Sequence, residues 1–259
     1  MTSRRRFLQL TATALAWAGG GRLVRAETRH LLLAQILPAI KNTAAAQGAL
    51  LAAEEAVRTA ELLGAHLELR VGQPGDAAAL IDQGVLALIG GLDAATRTAL
   101  AKLADTRGVP LLTTRAPGDT SPDEPLREHV FHVAFSPRDR REALERWKGQ
   151  ESVEIVDWHP SLKRFGAEQL NQRYKERFGT TMEPLAWTSW MAVKAAAEAA
   201  LRGADTPADL SRRLATMSFD GHKGQRLRFR PDDHHLQQPL YAVSGGRVLA
   251  EISPEEDES

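Results

Sequence analysis

Threonine, asparagine and arginine side chains, with one aspartate among them, gather in short loops of this chain, and the hydroxyl, amide and guanidinium groups are donors that suit an anionic ligand. Asn42 and Thr43 close the loop 38–43, Asp93 and Thr96 sit in the loop 91–96, and Thr113, Thr114 and Arg115 head the loop 113–118. A fourth loop runs over 73–76. A hydroxyl offers one donor that turns to suit its partner, while a guanidinium presents a planar fork matching both oxygens of a carboxylate. The plainer reading of Arg115 is a solvated loop charge, because exposed arginine is the norm.

Asp232-Asp233-His234-His235 has the composition of a metal site. Adjacent residues of an extended segment point to alternate sides, so four in a row seldom converge on one ion, and no metal is expected. His159, in Trp158-His159-Pro160, is expected to cap or orient a crossing of the chain. Trp187, Trp190 and Met191 have helical spacing and are expected to pack in the core. No nucleophile elbow, phosphate-binding glycine loop or metalloprotease helix occurs in the sequence. Gly90-Gly91 lacks the third glycine of a dinucleotide fingerprint. No cofactor is expected, and an enzyme is the less favoured class.

These residues need elements to position them. From His30 the chain alternates apolar runs with helical stretches, the signature of βαβ units and a parallel sheet. Residues 30–37 are almost continuously apolar, as in a strand buried on both faces. Further strands are expected over 66–71, 85–89 and 109–113, with helices over 47–63, 77–83 and 94–107. Open parallel sheets bind ligands beyond the carboxyl ends of their strands, which is what singles out the four loops. After 113 the rhythm breaks. A polar loop with three prolines spans 115–127, followed by a strand at 129–135, a charged helix at 137–147 and a short strand at 153–156. Helices over 161–178, 185–201 and 207–217 come next, then a strand at 226–229. A hairpin pairs 240–243 with 248–252 about Ser244-Gly245-Gly246.

Ser3-Arg4-Arg5-Arg6-Phe7-Leu8 fits the twin-arginine export pattern, and Val24-Arg25-Ala26 offers a small-residue cleavage site. The apolar run between them is too short to span a bilayer. A mature chain from Glu27 would lose five arginines and no acid, leaving 28 basic against 33 acidic residues, a net charge of −5. That balance argues against a nucleic-acid partner. The absence of cysteine excludes a disulfide scaffold, a thiolate metal site and a lipoprotein anchor. The acidic segment 253–259 has the composition of a disordered tail.

Three segments follow one another in a telling order: WHPSLKRFGAEQLNQRYKERFG, PLAWTSWMAVKAAAEAALRG and FDGHKGQRLRFRPDDHHLQQPL. The order resembles the C-terminal half of type-1 periplasmic solute-binding proteins of the branched-chain amino acid receptor, or leucine-binding-like, type. The nearest subfamily is the one associated with pyrroloquinoline quinone (PQQ)-dependent alcohol dehydrogenase systems. Segments 36–69 and 112–147 resemble the family's opening βαβ unit and the subfamily's crossover region. The resemblance implies a three-layer α/β sandwich with a mostly parallel sheet, like one lobe of such a protein. It also implies a periplasmic, substrate-binding component of an ABC transport system, with a permease as partner. Its ligand would be an amino acid or an anion such as pyrroloquinoline quinone. The alternative is a non-transport interaction or regulatory partner of a quinone-dependent dehydrogenase. Amino acid-binding relatives hold the ligand carboxylate with hydroxyls and backbone N–H groups at the third and fourth loops. Here Ala94 and Ala95 stand where hydroxyls are common, leaving Thr96 and Thr113, a departure that favours a more anionic ligand.

Two lobes of ordinary domain size need roughly 300 residues, more than this chain holds. The resemblance therefore divides it into a leader (1–26), a first lobe (27–135 and 153–235) and a reduced second lobe (136–152 and 236–252). Family members bury the ligand by closing two lobes about a hinge. A reduced lobe implies weak binding unless a second copy or another protein supplies the missing wall, so a homodimer stands among the expected partners. The hairpin 240–252 is expected to pack on the helix 137–147 or to make an intermolecular contact.

Overall fold

The structure is a computed structural model, and it describes residues 28–38, 43–115 and 126–254. The leader, Asn42 and the end of the loop 113–118 lie outside these residues. Strands β1 (Arg29–Ile36), β2 (Ala65–Gly72), β3 (Ala87–Gly90), β4 (Leu111–Thr113) and β5 (Val130–His132) form one parallel sheet in the order β2-β1-β3-β4-β5. Between them run helices α1 (Ala44–Leu62), α2 (Ala77–Asp82) and α3 (Ala94–Arg107). Side chains alternate across each strand and split the core in two. Leu33, Leu67, Ile89, Leu112 and Phe131 face α1 and the later helices. Ile36, Leu88, Leu111 and Val130 face α2 and α3. The expected three-layer α/β sandwich with a mostly parallel sheet is what forms.

Helices α4 (Pro137–Arg146), α5 (Ala167–Phe178), α6 (Pro184–Leu201) and α7 (Pro207–Thr216) complete the α-helices of the described residues. Alanines at 186, 192, 195, 196, 199 and 200 are fully buried on α6, so that its backbone comes close to α1. The closest point is Gly48, where an added Cβ would stand 1.9 Å from the carbonyl oxygen of Ala186. The Trp187, Trp190 and Met191 side chains are core, as their spacing predicted.

Two small antiparallel sheets flank this body. One is β7 (Ser218–Asp220), β8 (Arg226–Phe229) and β9 (Leu236–Gln237). In the other, β6 (Glu154–Val156) and β11 (Arg247–Ile252) both pair with β10 (Leu240–Ser244). The hairpin does pack on α4, through Ala143, Trp147, Ile155, Leu240 and Ala242. Strand β6, placed with the first lobe by sequence, hydrogen-bonds to that hairpin. Two local expectations also change. The helix expected from 161 starts at Ala167, because Phe165 and Gly166 both adopt left-handed backbone, with φ of 57° and 86°. Asp232 and Asp233 lie in a turn rather than an extended segment.

Candidate functional site

The carboxyl ends of β1, β3 and β4 lie side by side, and their order fixes the site. The order in which strands are added to the sheet reverses between β1 and β3, the switch point where open α/β sheets leave a crevice. The two strand ends touch: a Cβ at Gly90 would fall 2.6 Å from the Ile36 carbonyl oxygen. The Thr114 amide donates to the Gly90 carbonyl at 3.2 Å, joining the third and fourth loops.

The side chains of Thr43, Asp93, Thr96 and Thr113 already have local work. Thr43 caps α1, its Oγ1 accepting from the Ala46 amide at 3.3 Å. Asp93 caps α3, accepting from the Thr96 amide at 2.8 Å and from the Thr96 hydroxyl at 2.7 Å. These bonds hold the Asp93 carboxyl below its ordinary range, the amide bond most of all. An ionised Asp93 thus occupies the positive end of α3, where a ligand carboxylate would otherwise be favoured. Thr113 is buried and its hydroxyl meets Nδ1 of His132 at 2.9 Å. Thr114 is buried too, and its carbonyl accepts from the Thr188 hydroxyl at 2.6 Å. Arg115 is exposed, immediately beyond this buried pair.

Sequence reasoning passed over His132 and Lys223, each the centre of a buried polar group. His132 stacks on His235 with ring centroids 4.2 Å apart. Burial, then the neighbouring His235, keeps the His132 imidazole well below its ordinary pKa and therefore neutral. The second group centres on Lys223, which is 1% exposed. Its Nζ donates to Gln238 Oε1 at 2.5 Å and to the Pro239 carbonyl at 3.0 Å. It lies 4.0 Å over the ring of Trp187. Asp157, equally buried, acts on it through charge. No sequence signal marks this lysine, since Gly221-His222-Lys223-Gly224 has the composition of a solvated turn.

A cleft of about 610 Å³ opens between the hairpin sheet and the first turn of α6, walled by Arg140, Val153, Trp158, His159, Glu183 and Gly245 among others. Thr188, one turn along α6 from Pro184, ties this wall to the end of β4. The described walls include none of the candidate residues from the sequence. His159 Nδ1 accepts from the Ser161 amide at 3.2 Å and orients the turn there. Asp232 and Asp233 are engaged with Arg138 at 3.1 and 3.0 Å, and Asp233 with Arg230 at 2.8 Å. Among the described residues no group of three or more His, Asp or Glu is placed to hold a metal.

The fold has known counterparts. Residues 149–246 match the family described as periplasmic binding protein. No curated protein matches the chain. Among solved structures, a leucine-binding protein of Thermotoga maritima shares 16% identity with a TM-score of 0.60, over 86% of this chain and 99% of that one. An ABC transporter substrate-binding protein of Desulfitobacterium hafniense, in complex with Leu, shares 15% at a TM-score of 0.67, over 87% and 100%. A branched-chain amino acid transporter substrate-binding protein of Streptococcus pneumoniae, in complex with isoleucine, shares 14% at 0.63, over 88% and 100%. The fold is that of one lobe of a type-1 periplasmic binding protein. No described helix is long and apolar enough to cross a membrane.

Proposed function

We propose that this chain is a periplasmic, substrate-binding component of an ABC transport system, holding a small anionic ligand at the carboxyl end of its parallel sheet. The observation that carries this reading is the β2-β1-β3-β4-β5 order, with its switch point, in a chain that matches the periplasmic binding protein family over 149–246. Leucine and isoleucine in the similar solved structures make amino acids the first ligand class. The alanines at 94 and 95 remove hydroxyls from the third loop and leave Arg115 on the fourth to meet an anion, and pyrroloquinoline quinone is the proposed case. Asn42, Thr43, Thr96, Thr113 and Thr114 would line the same end. Export by the twin-arginine leader and a permease partner complete the proposal.

Titration calorimetry against leucine, isoleucine and pyrroloquinoline quinone tests it. Arg115→Ala should weaken binding by roughly tenfold to a hundredfold, the worth of a charge-assisted hydrogen bond in a partly closed site. Heats equal to buffer for all three ligands would sink the reading. The burial of Thr113 and Thr114 favours a second role, as a non-transport partner of a quinone-dependent dehydrogenase. In that case the ligands give no heat, and adding the protein changes the dehydrogenase rate.

A further inference from the structure

Strand β2 is the outer strand of the parallel sheet, and along its eight residues no other described strand pairs with its far edge. The ladder to β1 is regular from Arg29↔Ala65 to Ile36↔Gly72, and the Leu37 amide donates to the Gly72 carbonyl at 2.9 Å. In a parallel ladder alternate residues bond to one neighbour. Gly72, Arg70, Glu68 and His66 therefore serve β1, while the backbone groups of Leu67, Leu69 and Val71 face outward. The same three side chains lie on one face of the sheet. With Leu37, Leu50 and Val57 they line an apolar groove of about 640 Å³ between β2 and α1. Leu50 and Val71 are each 42% exposed there.

We propose that this edge pairs with the β2 edge of a second copy, antiparallel about a two-fold axis at Leu69, making one ten-stranded sheet across a dimer. Charge selects the register. With Leu69 opposite Leu69, Glu68 of each chain faces Arg70 of the other, and Leu67 faces Val71. A shift to either neighbouring two-fold register sets Glu68 against Glu68 or Arg70 against Arg70, which directly opposed strands disfavour. The chosen register also pairs the outward backbone groups of Leu67, Leu69 and Val71 with their own kind, as hydrogen-bonded positions require. Glu68 and Arg70 then fall at the non-hydrogen-bonded positions, where side chains come closest. Within one chain the two are already joined at 2.7 Å on an exposed surface, so exchanging partners costs little. Charged residues commonly guard a bare edge against pairing. Here opposite charges two residues apart recognise a two-fold copy, and the three apolar residues between and beside them continue its groove.

Strand β2 runs at its carboxyl end into the loop 73–76, but the pairing uses only its outer edge, so it stands or falls independently of ligand binding. Sedimentation velocity of the purified chain at micromolar concentration tests it. The wild type should be dimeric, Glu68→Arg and Arg70→Glu should each be monomeric, and the Glu68→Arg/Arg70→Glu double variant should recover the dimer. The Arg70 and Glu68 side chains are 40% and 46% exposed, and circular dichroism checks that each variant folds. A wild type that stays monomeric leaves the edge to some other strand or to solvent and overturns the proposal. A dimer that survives both single reversals overturns it equally.

Discussion

A buried lysine beside a buried carboxylate is the least expected feature at the scale of single residues. Burial is the main cause of both shifts. It raises the Asp157 carboxyl to about 6 and lowers the Lys223 ammonium to about 7, each offset in part by the other's charge. Glu251 adds a smaller pull on Lys223 in the same sense as Asp157. The raised carboxyl binds its proton more tightly in the fold, so its contribution to stability is full below the ordinary aspartate range. That contribution is lost as pH rises through about 6. The lowered ammonium contributes fully above the ordinary lysine range, and loses that contribution as pH falls through about 7. Between the two, both groups are charged and neither shift helps. Stability measured by urea unfolding against the Asp157→Asn/Lys223→Met variant should therefore pass through a minimum between about pH 6 and 7. A maximum in that window would show instead that the pair acts as a net stabilising ion pair. Neither residue was legible, because partners 66 positions apart meet only through the fold. Thr43 and Asp93 were singled out for a related reason. Hydroxyl and carboxylate groups just after a strand suit a ligand, but they equally suit the start of a helix, and both cap one here.

Among the elements, the contact of α1 with α6 depends most on one position. An alanine at 48 would press its methyl group into the Ala186 carbonyl, a backbone atom that cannot rotate away. Gly48→Ala improves helix propensity, yet it should destabilise the protein by about 3 kcal/mol through overpacking. The melting temperature would then fall by on the order of 10 °C. Leu62→Ala, at an 87% exposed position on the same helix, should change it little. A neutral Gly48→Ala would mean the helices separate freely. Long elements were legible because their periodicity spans many residues: α3 forms over the predicted 94–107. The strands β7 and β9, of three and two residues, were not. They carry too few positions to show a period, and pairing with β8 together with burial of Phe219 and Leu236 holds them in line.

For the whole molecule the question is how the hairpin sheet is joined to the parallel one. The chain crosses between them three times, after β5, after β6 and before β10. The parallel sheet followed from its apolar runs, but no local pattern reports that these crossings meet. Gln238 ties two of them, since its Nε2 donates to the Val133 carbonyl at 2.8 Å while its Oε1 accepts from Lys223. Lys223 in turn holds Pro239 and lies in the field of Asp157, which follows β6. One buried amide and one buried ammonium thus link every crossing. Gln238→Leu leaves the Val133 carbonyl without that donor and frees Lys223 from one acceptor, a loss of about 1–3 kcal/mol for each unsatisfied group. That loss should fall on the joint rather than on either sheet. Hydrogen exchange would then show β10 and β11 amides opening together with β1 and β3 in the wild type, as one cooperative unit. In Gln238→Leu the hairpin amides should exchange selectively faster, with those of β1 and β3 little changed. Equal acceleration throughout would mean that Gln238 supports the core at large. A hairpin already exchanging independently in the wild type would mean that the crossings are a free hinge, and that the buried network does not restrain it.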